Sequence, residues 1–216
     1  YSSARNAYIV PRMKRMMNRT VWAMTKQLRK GSFKPEGYEV SFGSGKIDRI
    51  DTCETEDQVY VKILDYKTGA KSFDMAAFYH GLQMQLVVYM EEAVRLEERK
   101  HPGKKIVPAG IFYYRMKDPI VGKELDEEKL EEAILKELRL DGIIRQEDAV
   151  IQRLDADFSG NSLVIPAGKT KSGYSKASKM LLPEEFDAVL TYAQKRRTDL
   201  QGAMYRGKAE ALPYEM

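Results

Sequence analysis

The chain has 216 residues, 43% hydrophobic and 31% charged, with a formal net charge of +4 and a single cysteine, Cys53. That is enough chain to bury a core as one domain, and the composition is not that of a disordered segment. A membrane-spanning helix is excluded, because no apolar run nears the roughly 18 residues one needs, and so are an internal disulfide and an all-cysteine metal site.

The lone thiol and the lack of a signal-peptide pattern suit a reducing, cytoplasmic setting. A sequence that opens on Tyr1 without an initiator Met reads as a segment of a longer protein.

Pro11 suits the first turn of a helix running to about Lys30, with Met13, Met16 or Met17, Val21, Met24 and Leu28 as its apolar stripe. Three strands follow at about Tyr38–Phe42, Lys46–Asp51 and Gln58–Tyr66, separated by turns at Gly43–Gly45 and "TCETED". A long amphipathic helix is expected from about Asp74 to Arg99, stopped by "HPG", and then a buried strand near residues 109–115. A return strand after a helical crossover pairs in parallel, so residues 1–123 predict an α/β core with a mixed sheet. Residues 124–216 read as helix, loop, helix: a helical extension with a basic Gly/Ser loop, in the same domain.

Charge is unevenly spread. Residues 1–35 contain no Asp or Glu but carry Arg12, Arg15 and Arg19 among other bases. A second acid-free stretch, Lys169–Lys179, holds Lys169, Lys171, Lys176 and Tyr174. Such one-sign blocks mark either a solvated face or a contact for a polyanion such as DNA.

The chemistry concentrates at "VKILDYKTG". Strand alternation puts Asp65 and Lys67 on the face of Val59, Val61 and Ile63, at the rim of an apolar surface. The bare acid-x-Lys pattern recurs at Glu98–Lys100 and Glu127–Lys129, where it belongs to solvated helices, so position is what distinguishes Asp65–Lys67. In "GKIDRID", Asp48 can converge on the same edge if the two strands pair, whereas Asp51 points the other way. Two carboxylates with a backbone carbonyl and waters make the oxygen cage Mg²⁺ prefers, and an adjacent lysine can act on water or on a phosphate. In "GLQMQLVVYM", Gln85 and Tyr89 lie one helical turn apart, either as plain core and boundary residues or as support for that site. His80 and His101 have no partner at metal-ligand spacing.

Together these three motifs resemble the RecB-type branch of the PD-(D/E)xK nuclease superfamily. Their order, and the sequel "PAGIFYYRMKDPI", are most similar to the C-terminal nuclease domains of the B-subunit family of bacterial ATP-dependent helicase/deoxyribonucleases. The resemblance implies a restriction-endonuclease-like core and Mg²⁺ (or Mn²⁺) held by Asp48, Asp65 and the Tyr66 carbonyl. It also implies a catalytic Lys67 supported by Gln85 and Tyr89, DNA as substrate, and a motor/nuclease A subunit as partner. Relatives take an acid or histidine from the first helix and hold an iron–sulfur cluster through flanking cysteines. Here no Asp, Glu or His precedes Glu36, and Cys53 lies inside the core, so any cluster belongs to a longer parent chain. A nuclease fold kept only as a DNA-binding scaffold, and a stand-alone single-strand exonuclease, remain alternatives.

Overall fold

In the computed structural model, which describes residues 4–43, 45–122, 126–156 and 158–208, helix α1 (Ala4–Leu28) leads into the meander β1 (Lys34–Phe42), β2 (Gly45–Glu54) and β3 (Gln58–Lys67). Then come α2 (Met75–Tyr79), α3 (Gln85–Lys100), β4 (Lys105–Arg115), α4 (Glu127–Glu137), β5 (Asp141–Arg145) and α5 (Asp148–Leu154). A small hairpin, β6 (Lys169–Thr170) with β7 (Gly173–Tyr174), precedes β8 (Met180–Leu181) and α6 (Pro183–Tyr205). The main sheet runs β1-β2-β3-β4-β5-β8, with β3–β4 and β5–β8 parallel and the other pairs antiparallel. Helix α3 is the crossover that a parallel β3–β4 pair requires.

Both faces of the sheet are covered, as the nearly unbroken burial of β3 demands. On one side Val59, Val61, Ile63 and Ile111 pack against Leu86, Val87 and Met90 of α3 and Phe186 of α6. On the other, Tyr60, Leu64, Phe112 and Ile144 meet α5, Met24 of α1 and the Phe158–Ala167 segment. This is the mixed sheet flanked by helices of the restriction-endonuclease-like fold.

Five expectations need correction. Pro11 lies within α1 rather than at its start. The buried stripe of α1 is Thr20, Ala23 and Gln27 with Met24 beside it, while Met13, Met17 and Val21 are 50%, 56% and 64% exposed. Gln27 belongs inside because its amide donates to the carbonyls of Leu138 and Leu163 at 3.0 and 3.3 Å, so hydrogen bonding outranked the Met/Val periodicity.

The helix expected over 74–99 is two helices. Gly81, at φ 85°, ends α2 in the left-handed region, and Gln83 ties the turn to Asp74 and Ser72, so α3 starts afresh at Gln85.

The segment after 124 is not only helical, since β5 and β8 complete the sheet. β5 is buried at every position, including Gly142, where a Cβ would lie 1.9 Å from the Ile111 carbonyl oxygen. Finally, β1, β2 and β4 extend beyond the predicted ends, β1 beginning at Lys34 and β4 at Lys105. Ser44 of the predicted turn, and parts of the 124–216 segment, lie outside the described residues.

Candidate active site

The ladder between β2 and β3 pairs Ile50 with Ile63 and Arg49 with Leu64, which brings Asp48 and Asp65 alongside each other one step further on. Asp48 seals that step itself: its Oδ2 accepts the Tyr66 backbone N–H at 2.8 Å. Asp65 continues the apolar face of Val61 and Ile63 and is 1% exposed, whereas the side chain of Lys67, at the strand end, is 24% exposed. The Lys67 Nζ sits 2.5 Å from Asp65 Oδ2.

Gln85 locks the pair. As the first residue of α3 it donates from Nε2 to Asp65 Oδ1 (3.0 Å) and to the Tyr89 hydroxyl (2.8 Å), and its Oε1 accepts from Lys67 Nζ (3.3 Å). Tyr89, one turn along, is held by edge-on contact with Phe42, ring centres 5.6 Å apart. The break at Gly81 therefore matters for the site, because it turns the start of α3 toward the end of β3. Asp48, Asp65, Lys67, Gln85 and Tyr89 are thus brought together.

Burial raises the pKa of Asp65 above the ordinary carboxylate range, against the pull of Lys67, and the charge of Asp48 raises it further. A buried acid with a second acid beside it and one lysine in contact, helped only by Lys71 further off, stays disfavoured as a carboxylate, which a cation can answer. The donors are hard oxygens, and no other hydrogen bond to Asp48 occurs among the described residues, so the residues fit a divalent ion that keeps most of its waters. Among the described residues no cluster of three His, Cys, Asp or Glu is placed to hold a metal, and α1 adds no acid or imidazole. Cys53, half-buried in β2, is the single thiol and does not fit an iron–sulfur cluster.

The other predicted contacts separate into two groups. Arg15 and Arg19 approach Asp118, just past the end of β4, and Arg19 lies over the Trp22 ring at 5.3 Å, while Arg12 is exposed. That places Arg15 and Arg19 near the edge that carries Asp65. Lys169, Lys171 and Lys176 belong to the small hairpin and its flank, which Tyr174 ties to Asp148, beyond the end of β5 opposite Asp141. The hairpin lysines Lys169 and Lys171 thus belong to the other end of β5, whereas Lys176 leads into the segment through Ala177 and Lys179 that reaches Asp141.

Sequence reasoning missed Tyr113 and Asp141. Tyr113 pairs with Asp65 across β3–β4, and the Nζ atoms of Lys67 and Lys71 lie 5.6 and 5.2 Å from its ring centre. Its buried hydroxyl has no hydrogen-bond partner among the described residues. The signal was present in "GIFYYR", whose alternation puts Tyr113 on the face of Ile111; Asp141 offered no motif.

Comparison with known proteins bears on the family of the chain. The family model described as PD-(D/E)XK nuclease superfamily matches residues 1–215. Similar curated proteins are named as the B subunit of an ATP-dependent helicase/deoxyribonuclease. Those of Caldanaerobacter subterraneus subsp. tengcongensis and Alkaliphilus metalliredigens are each 35% identical, and that of Lachnoclostridium phytofermentans is 36% identical. In each case the match covers 99% of this chain and 20% of the relative, so the chain spans about a fifth of the length of these proteins.

Proposed function

The chain belongs to the PD-(D/E)XK nuclease superfamily, and on that premise we propose that it is the nuclease domain of a helicase–nuclease B subunit, hydrolysing phosphodiester bonds of DNA with a divalent metal. The observation that carries this reading is the closed set Asp65–Lys67–Gln85–Tyr89 with Asp48 alongside, at one open edge of the sheet.

Asp48 and Asp65, with the Tyr66 carbonyl, would hold Mg²⁺ or Mn²⁺. When bound, the metal supplies Lewis-acid neutralisation of the negative phosphate. Lys67 Nζ, fixed by Asp65 and Gln85 yet partly open to solvent, meets the attacking water and the charge developing on the phosphate. Gln85 keeps Asp65 and Lys67 in one orientation, and Tyr89 keeps Gln85. Arg15 and Arg19 hold the strand by its backbone, which gives binding without sequence preference. In the cell the domain acts as an exonuclease in cytoplasmic DNA repair and recombination, beside a motor/nuclease A subunit, and any iron–sulfur cluster belongs to the longer protein. Among the described residues no helix is long and apolar enough to cross a membrane.

The test is cleavage of linear single-stranded DNA in Mg²⁺ or Mn²⁺ and in EDTA, by this chain and by its Asp65→Ala and Lys67→Ala variants. Metal-dependent cutting that both variants lose is the expected result. Equal cutting by the variants would sink the assignment. One observation favours a second reading, a fold retained only to bind DNA: the lack of a third ligand among the described residues. Metal-dependent DNA binding without cutting, by this chain and by the full-length protein alike, would decide for it.

A further inference from the structure

The edge that carries Asp65 continues across the sheet to a second polar feature. Asp65 pairs with Tyr113 and Tyr113 with Asp141, so the three stand abreast on β3, β4 and β5. Asp141 is two strand spacings from Asp65, about 10 Å. Beside it opens a cavity of about 320 Å³ between the end of β4, the end of α4 and the segment entering β8.

Five of its lining side chains are cationic, Arg115, Lys117, Lys136, Arg139 and Lys179, against the two acids Glu137 and Asp141. Asp141 is buried, and it orients two of the cations: it accepts from Lys179 at 2.5 Å and from Arg115 at 3.3 Å, as well as from the Phe73 N–H at 3.2 Å. Glu137 holds Lys117 at 2.5 Å. Lys136 and Arg139 have no carboxylate within ion-pair distance among the described residues. A concave, cation-rich wall with two uncommitted bases suits a strongly charged anion with several oxygens.

We propose that this cavity seats a backbone phosphate of the substrate strand other than the one being cut, with Lys136 and Arg139 as its direct contacts. The site rests on the nuclease reading above and adds a place for the strand apart from the basic first helix and the β6–β7 hairpin, Lys179 being the one base of the Lys169–Lys179 stretch that lines it. Arg115 and Lys179, fixed by Asp141, set the positive field. The strand then runs across the strand ends, from the phosphate near Asp65 past Lys67 and Lys71, which lie over the buried Tyr113 ring, to the cavity.

The experiment compares the chain with its Lys136→Gln/Arg139→Gln double variant on a long single strand and on a dinucleotide, which has one phosphodiester bond and no flanking phosphate. On the long strand KM should rise about tenfold with kcat unchanged, and the slope of log affinity against log salt should fall by about 1.4, two contacts' worth for a single strand. Dinucleotide cleavage should not change. An unchanged KM and salt slope on the long strand would overturn the proposal, as would an equal loss on the dinucleotide. Inorganic phosphate competing with the strand equally well in parent and variant would overturn it too. Strand binding measured by fluorescence anisotropy in EDTA keeps the two readings apart. If neither the parent chain nor the full-length protein cuts either substrate, the nuclease reading fails, and the affinity and salt slope of the double variant still judge the cavity.

Discussion

On one face of β2 and β3, Asp51 is sealed between Arg49 and Lys62; on the other, Asp65 meets Lys67 at an open edge. The first cluster has two bases and one acid, all 5% exposed or less. Asp51 takes a two-pronged hydrogen bond from Arg49, at 2.5 and 2.9 Å, and an ion pair from Lys62 at 3.4 Å. The surplus positive charge is disfavoured from within, because burial and the Arg49 charge push the pKa of Lys62 down more than Asp51 holds it up. The second cluster has two acids and one base, and its surplus is negative. It leaves the buried Asp65 destabilised as a carboxylate, beside Asp48 and Lys67 that are only half-buried and that a cation from outside can approach. The same residue types on the same two strands thus make a structural clamp in one case and a site in the other. The sign of the surplus and access to water separate them.

Asp65→Asn should separate the clusters most sharply. It should cost on the order of 10³-fold or more in metal-dependent cleavage. In metal-free buffer its unfolding free energy in urea should stay within about 1 kcal/mol of the parent, because a buried acid that burial disfavours has been removed. A large loss of stability would mean that this cluster is structural as well. Asp51→Ala should do the reverse, costing about 3–5 kcal/mol in urea unfolding, because it strands Arg49 and Lys62 in the core. An unchanged midpoint would erase the distinction.

Gln85→Leu probes the middle ground, keeping the volume but freeing Asp65 and Lys67 to reorient. A loss of roughly 10- to 100-fold in activity or metal affinity is expected, with the fold intact by circular dichroism. Full activity would show that the pair needs no holder.

The smallest effect concerns Tyr113. Burial first, then the Asp65 carboxylate, push its hydroxyl pKa up to about 12. The folded chain therefore keeps a proton that the unfolded chain loses near pH 10, so stability falls as pH rises from about 10 through about 12. Tyr113→Phe removes that component and should decline less between about pH 9 and about pH 11 in urea titrations. An identical decline would place the alkaline sensitivity in other groups.

Much of this was readable from strand alternation alone. Asp48 and Asp51, three apart in "DRID", had to lie on opposite faces, and Asp65 and Lys67 had to share one. The helical repeat put Gln85 and Tyr89 on one face, and their link to Asp65 and Lys67 came from the family resemblance. What escaped depended on packing that no local period encodes. The face of α1 was misassigned because Gln27 is buried by carbonyls of Leu138 and Leu163, far along the chain. β5 escaped because "DGIIR" is five residues with no alternation, buried on both faces. Asp141 escaped with it, since its meaning comes from lying abreast of Tyr113 and between Arg115 and Lys179.

The hydrogen bond from the Tyr66 N–H to Asp48 also governs when the site exists at all. A side chain that would hold metal doubles as the last rung joining β2 to β3. A nascent chain whose meander has not closed, or a mature one fraying at that end, parts its two acids as the rung opens. Loss of the candidate site and fraying of the sheet are then a single event.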